Sequence, residues 1–365
     1  MKNSKDYFDN RFSRHYPLKS IGKLNQNKLK LRKVLIAGMG GLGTMSADLL
    51  SAIGIGYLRI VDFDVVEVSN LPRQRLYSDT DIGKAKVDVA KDKLINRNPL
   101  ITIDAHATKL DALSVNQLLE DIDLVIDGLD RFSTRKILFQ AAFTHRIPYI
   151  FAGSIGENAN IMTFTHKNDK PCLECILGGV KDDNQQTCEI IGVHPAILQI
   201  ATGIQVTEGV KILLNQKSEL EDKMLYIDLN TLEFEQIKFA KRKDCKICGT
   251  LSNNDLDKGK EGEITRGKKE IGSYGHALVT SLCGRDTQII APNWEFIWDF
   301  TSVKQKLQQK WHIAVSGESY VTINIESVGV SLMKSGVATI RGAKTSDRAV
   351  EIYTKMYNYI VENNT

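Results

Sequence analysis

Long apolar runs are missing from this chain: no stretch approaches the ~18–20 uninterrupted apolar residues that a membrane-crossing helix needs. The N-terminus, Met1-Lys2-Asn3-Ser4-Lys5-Asp6, has no apolar h-region behind it. That excludes a secretory signal and makes a cytoplasmic address the expectation. Charge of one sign is also scarce, since 48 basic and 44 acidic side chains leave a net +4 and the basic residues mostly sit beside acidic ones. Neither nucleic acid nor a membrane surface is therefore an expected partner. The phosphate-binding pattern G-x-x-x-x-G-K-[ST] is absent, which excludes a Walker-type loop. No two of the 7 histidines stand at zinc-ligand spacing and no serine lies in a G-x-S-x-G elbow, so hydrolase readings find no support. With 7 Pro and 27 Gly in 365 residues, and 42% apolar, collagen-like structure and wholesale disorder are excluded as well.

What is present falls into two patterns. From Lys33 to Ile150 short β-type runs alternate with helical periodicity: strands at Val34–Ala37, Tyr57–Val61, Ile101–Ala105, Asp123–Ile126 and Tyr149–Phe151, with helices at Leu42–Ile53, Ala85–Ile95 and Ser133–Thr144. Such alternation predicts a parallel sheet with helices on both faces. Beyond Ser154 the pattern turns to antiparallel strands (Asn160–Thr165 and a hairpin within Met224–Phe239 around Asn230-Thr231), with a long helix, Ala196–Leu214, between them. Charged and polar residues dominate from about Gly249 to Gly272, as in a solvated linker. The tail from Ser273 carries strands at Tyr320–Ile325 and Val337–Ile340 and helices around Val303–Lys310 and Arg348–Val361. The fold class is thus α/β: a doubly wound, mostly parallel Rossmann-like sheet with an antiparallel extension, followed by a small C-terminal α+β domain.

Four of the 6 cysteines form two C-x-x-C pairs, Cys172/Cys175 and Cys245/Cys248. Each pair can span two corners of a tetrahedron, and together they complete the closed Cys₄ set of a structural Zn²⁺. A redox dithiol is the rival reading, but a single pair would suffice for that.

Gly38-Met39-Gly40-Gly41-Leu42-Gly43 satisfies G-x-G-x-x-G between a strand and a helix. Its glycines permit a tight turn and close backbone approach, and the helix N-terminus offers N–H groups to phosphate. Asp62 ends the next strand, where a carboxylate can accept from ribose hydroxyls. An NAD-dependent dehydrogenase would read the same to this point. The segment after Asp62 departs from that pattern: Asp64, then Ser69-Asn70-Leu71-Pro72-Arg73-Gln74, place polar and charged groups beyond the carboxyl end of the second strand. Lys86 opens the next helix, and Asp130, at the end of the fourth strand, is a carboxylate at the same sheet edge that could hold Mg²⁺.

The run GMGGLG, then DFDVVEVSNLPRQ, then Lys86, Asp130 and the paired cysteines, resembles the ThiF/HesA family over about Asp9 to Gly249. These enzymes adenylate the C-terminal glycine of ubiquitin-like sulfur carriers and are simpler relatives of ubiquitin-activating enzymes. The resemblance implies an adenylyltransferase using ATP and Mg²⁺, acting on a small carrier protein that ends in Gly-Gly, with a sulfur donor as a further partner. It implies that Gly41 and its neighbours pack on adenosine and phosphate, that Asp62 holds the ribose, that Ser69 to Arg73 line the pocket with Arg73 and Lys86 on the phosphates, and that Asp130 positions magnesium. Arg11-Phe12-Ser13-Arg14 resembles the family's N-terminal R-Y-x-R motif, which makes Arg14 a candidate cross-subunit arginine and implies a homodimer. Cys188 matches the position of a reactive cysteine, with a thioester role and a persulfide or acyl-disulfide role both open, beside an inert thiol. Two departures stand out: Arg131 where the family usually has Asn, at the adenine side, and His15 where Gln is common. The expected division is an N-terminal arm and helix at 1–30, an adenylyltransferase unit with the cysteine site at 31–250, a linker at 251–272 and the tail unit at 273–365. A non-catalytic scaffold is the alternative, although such halves lose the arginine and lysine present here.

Overall fold

The computed structural model describes residues 5–180, 191–249, 268–270, 276–282, 287–292 and 299–362. Two short helices, α1 (Lys5–Arg11) and α2 (Gly22–Leu29), lead into β1 (Lys33–Ala37), α3 (Gly41–Ile53), β2 (Tyr57–Val61), α4 (Lys86–Arg97), β3 (Thr102–His106), α5 (Val115–Leu118), β4 (Leu124–Asp127), α6 (Phe132–Thr144) and β5 (Tyr149–Ile155). The chain continues through β6 (Asn158–Phe164), α7 (Leu173–Leu177), α8 (Pro195–Leu213), β7 (Lys223–Asp228) and β8 (Glu233–Lys238). These strands form one sheet in the order β3-β2-β1-β4-β5-β6-β7-β8. From β3 to β5 neighbours are parallel, and from β5 to β8 antiparallel. β1 therefore pairs with both β2 and β4, so the connections leave in opposite directions at that point. A doubly wound sheet binds ligands at such a switch point, at its carboxyl edge.

Alternation along β1 assigns two cores. Val34 and Ile36 face one side with Leu50 of α3, Val87 of α4 and Ile197 of α8. Leu35 and Ala37 face the other with Leu118 of α5, Leu138 of α6 and the paired cysteines. Side chains one residue apart on a strand point to opposite faces, so a continuous apolar strand is what a doubly covered sheet requires. The parallel-sheet expectation and its antiparallel extension are both met, with β2 matched to the residue and other strand ends shifted by up to four residues.

In the tail, β9 (Lys268–Glu270), β10 (His276–Leu282), β11 (Thr287–Pro292), β12 (Ile313–Ser316), β13 (Tyr320–Ile325), β14 (Val328–Met333) and β15 (Ala338–Arg341) form a second, antiparallel sheet in the order β12-β13-β14-β15-β11-β10-β9. Helices α9 (Phe300–Lys310) and α10 (Ser346–Glu362) cover one face. The opposite face sends Ile289, Ala291, Tyr320, Met333 and Val337 into the core shared with α3 and α4. The sequence predicts a separate α+β unit; the structure adds that this unit is packed on its neighbour, through a common apolar core. No helix among the described residues is long and apolar enough to cross a membrane.

Candidate functional site

The glycine turn owes its shape to backbone crowding. Gly38 has φ +86°, and a Cβ on Gly43 would fall 1.7 Å from the Gly38 carbonyl oxygen. Gly128, just past β4, presses on both: its Cβ would stand 2.9 Å from the Gly38 oxygen and 3.0 Å from Gly43. Three glycines thus let the ends of β1, α3 and β4 meet. Gly41 has a packing reason of its own, since a Cβ there would meet Leu198 Cδ1 of α8 at 2.7 Å. Gly40 alone faces open space, its nearest neighbour being Gln74 Nε2 at 3.9 Å. The N-terminus of α3 begins at Gly41 with no side-chain cap and no acidic residue in its first turn. Its N–H groups and the positive end of its dipole therefore point to the open carboxyl edge.

Asp62 closes this turn from below. Its Oδ2 accepts the Met39 N–H at 2.7 Å and its Oδ1 the Asp64 N–H at 2.8 Å. Burial pushes its pKa up, opposed by Lys86. Tyr77, buried, donates its hydroxyl to the carbonyls of Met39 and Lys86, tying the β2–α4 loop to the glycine turn. Lys86 is only 6% exposed, and its Nζ stands 3.1 Å from Asp64 Oδ2. Burial alone would depress its pKa, but Asp64, Asp62 and Asp130 together raise it above the ordinary lysine value. A permanently charged ammonium beneath an open edge is the result. Arg73 rises from the same loop, half-buried, with Nη1 donating to the Ser69 carbonyl at 2.6 Å. Gln74 is buried beside Gly40 and its Oε1 has no partner among the described residues.

The loop thus brings Asp62, Asp64, Arg73, Gln74 and Lys86 to one lip. Asn70 is buried and its Oδ1 accepts from the Glu67 N–H at 3.1 Å, so it holds the turn; Leu71 packs on the core; Ser69 and Pro72 are exposed. Asp130 is exposed, and Arg131 precedes α6 without capping it. Arg14 lies outside this cluster, exposed in the turn after α1 and in no ion pair with another described residue. Its neighbour His15 bonds Gln26 Oε1 through Nδ1 at 2.9 Å. Cys188 lies outside the described residues.

Sequence reading missed a buried support beneath Asp130. Asp127, fully buried at the end of β4, accepts from Arg135 Nε at 2.5 Å and from the Tyr149 hydroxyl at 2.7 Å. Arg135 Nη2 also donates to the Leu129 and Ala152 carbonyls, which ties the end of β4 to β5. Gln205 on α8 donates to the carbonyls of Asp127 and Ile150 and accepts from Ser46 on α3. An acid at a strand end with an arginine eight residues on was the available signal for the ion pair; nothing in the pattern pointed to Gln205.

At the other side of the sheet Cys172, Cys175, Cys245 and Cys248 bring their sulfurs within 4.8 Å of one another. Neighbouring sulfurs are 3.3 Å (Cys175–Cys248), 3.5 Å (Cys172–Cys245) and 3.8 Å (Cys172–Cys175) apart. A tetrahedron with Zn–S bonds of ~2.3 Å has edges of about 3.8 Å, so the set fits Zn²⁺ and needs little adjustment. No fifth ligand is called for, which is the closed arrangement of a structural ion.

The ThiF family model matches residues 12–248. Molybdopterin-synthase adenylyltransferase of Salmonella typhimurium is 33% identical over 239 residues, spanning 66% of this chain and 96% of that protein. Sulfur carrier protein ThiS adenylyltransferase of Bacillus subtilis is 30% identical over 352 residues, 94% of this chain and 98% of its own length, so the similarity runs into the tail. The solved structure of Escherichia coli MccB with ATP matches 68% of this chain and 75% of that chain, with a TM-score of 0.57 and 25% identity.

Proposed function

The chain belongs to the ThiF family, and on that premise we propose that it transfers AMP from ATP to the C-terminal carboxylate of a small ubiquitin-like carrier ending in Gly-Gly. The observation that carries this reading is the charged Lys86 at the lip, set between Asp62 and Asp64 beside the uncapped N-terminus of α3 and the open face of Gly40. A carrier carboxylate oxygen attacks the α-phosphorus; the new O–P bond forms as the bond to the β-phosphate oxygen breaks, and pyrophosphate leaves with that electron pair. Little acid–base chemistry is needed. Alignment and cancellation of charge on the phosphates decide the rate, and Lys86 and Arg73 supply it.

Gly38, Gly40, Gly41 and Gly43 present the turn to the nucleotide, Asp62 accepts from its ribose, and Ser69 to Gln74, with Arg131, border it. Asp130 would hold Mg²⁺, which neutralises phosphate charge; with Asp62 and Asp64 it makes three carboxylates against two cations, a balance that suits a divalent ion. The unpartnered Gln74 Oε1 supports the pocket reading, since a buried acceptor with no donor is costly unless a ligand supplies one. Zn²⁺ on the four cysteines would be structural. Arg14, exposed and in no ion pair among the described residues, serves the nucleotide site of a second copy in a homodimer. Cys188 is the site of any later thioester or sulfur-transfer step on the activated carrier. Units 31–250 and 273–365 are the catalytic domain and its appendage.

Carrier-dependent ATP–pyrophosphate exchange tests the reading. Exchange is expected with a carrier ending in Gly-Gly and is lost when those two glycines are removed. No exchange with any resident carrier overturns it, and tight NADH binding without ATP binding would restore the dehydrogenase. A scaffold would lack exchange while still binding the carrier.

A further inference from the structure

The tail unit has no part in the chemistry above, yet it grips the loop that carries it. On the second face of its sheet, Thr322 Oγ1 of β13 donates to the Gly83 carbonyl at 3.3 Å, and the Ser319 N–H donates to Asp88 Oδ2 at 3.2 Å. Ser335 donates to the Ala107 carbonyl at 3.1 Å, beyond β3. Arg341, the last residue of β15, stands 3.9 Å from Glu67, and both side chains are largely withdrawn from solvent (29% and 20% exposed). Its guanidinium is aimed by Ser331 Oγ at 3.0 Å, which in turn bonds Thr322 at 3.0 Å. Arg341 is therefore held from one side by its own sheet and meets the loop on the other.

Glu67 is no incidental partner. It heads the short turn Val68–Asn70, where the Glu67 and Asn70 side chains close a capping box. From that turn the Asn70 carbonyl accepts the N–H groups of Arg73 (3.1 Å) and Gln74 (2.9 Å), and the Ser69 carbonyl accepts the Arg73 guanidinium. Fixing Glu67 thus fixes the base of both candidate nucleotide contacts. A loop ordered before the ligand arrives costs less to bind than one ordered by it.

We propose that the tail unit is a positioning element for the nucleotide loop, and that Arg341 is its positioning residue, acting through Glu67 on Arg73 and Gln74. The inference rests on the adenylation reading of that loop. In the full-length protein, Arg341→Gln is expected to raise the KM for ATP about 5- to 10-fold, the scale of one partly buried ion pair. The KM for the carrier and kcat at saturating ATP stay within about twofold, and the melting temperature moves by no more than a few degrees. Glu67→Gln keeps the capping geometry and removes the charge, so Arg341→Gln adds nothing in that background. Arg341→Lys restores most of the ATP affinity.

If the wild type exchanges pyrophosphate but Arg341→Gln leaves the ATP KM unchanged, or acts equally with and without Glu67→Gln, the proposal is wrong and the adenylation reading stands. Absence of exchange in the wild type removes that reading and this one with it. Should Arg341→Gln unfold the chain, Arg341→Lys and Glu67→Gln decide: an unchanged ATP KM in Glu67→Gln overturns the proposal.

Discussion

The cysteine cluster and the glycine lip occupy the same sheet and differ in how complete they are without a small molecule. At the cluster four sulfurs lie within 4.8 Å of one another, near tetrahedral separations, and one ion would close the set. Beneath Asp130, Asp127, Arg135 and Tyr149 likewise satisfy one another in burial. At the lip, Gln74 Oε1 is buried without a donor among the described residues, the N-terminus of α3 is uncapped, and Gly40 borders open space. Buried polar groups ordinarily find partners inside the protein. An unpaired acceptor beside an uncapped helix N-terminus, at the switch point of the sheet, leaves bonding capacity that a ligand could use. One region is a finished joint and the other a receptor, and perturbing each should give a different kind of loss.

The largest effect is expected at the joint. Stripping Zn²⁺ with a chelator, or replacing Cys245 by Ser, should cost on the order of 5 kcal/mol or more of stability, because ion binding is there part of folding free energy. Thermal melts with a parallel measurement of zinc per chain check this; a melting temperature indifferent to chelator breaks the comparison. At the receptor the sign of the trade reverses. Arg73→Ala removes a half-buried side chain whose one described bond is to Ser69, so stability should move by less than about 1 kcal/mol. Exchange activity should fall roughly 100- to 1,000-fold, about 3–4 kcal/mol of lost transition-state charge stabilisation. Equal activity in the variant would remove Arg73 from the phosphate contacts.

The two regions were also legible for different reasons. G-x-G-x-x-G between a strand and a helix and two C-x-x-C pairs are distinctive enough patterns that spacing located both, and apolar runs bounded by turns located β1 to β5. The support beneath Asp130 escaped because Asp127 ends an otherwise apolar run, and its partners Arg135, Tyr149 and Gln205 come from three other elements. Burial of a charge depends on partners far along the chain, which a local pattern does not encode. In the tail, β13 and β15 were read and β14 was not. Both faces of that sheet are covered, one by α9 and α10 and the other by the first unit, so Thr322, Ser331 and Thr339 sit buried where alternation would have put them in solvent.

Within the glycine turn the comparison can be made three residues apart. Gly43→Ala forces a Cβ against the Gly38 carbonyl at 1.7 Å, backbone on backbone, and should cost about 2–4 kcal/mol of stability. Gly40→Ala meets nothing nearer than Gln74 Nε2 at 3.9 Å and has φ −84°, so the fold should tolerate it. Its methyl group instead occupies the space a nucleotide would enter. Denaturant melts should separate the two variants and ATP titration should reverse their order. A Gly40→Ala protein that binds ATP as the wild type does would place the nucleotide elsewhere.

The smallest effect sets the edge strand β3 against the lip by the sign of its acid chemistry. Asp104 on β3 is partly buried, which pushes its pKa up, but donors from Tyr57, His106 and Arg59 more than offset this and bring it from 3.8 to about 2. Its ionised form stabilises the fold above pH ~4, and that stability is lost as pH falls toward 2. With a third of the side chain exposed, the contribution is roughly 1–2 kcal/mol after screening. Asp62 at the receptor shifts the other way, because burial raises its pKa, so its ionisation opposes folding as pH climbs through that raised value. Asp104→Asn should therefore flatten the acid limb of a stability–pH profile between about pH 4 and 2 and leave ATP binding at neutral pH unchanged. An acid limb as steep as that of the wild type would shift the acid sensitivity of the fold to carboxylates elsewhere.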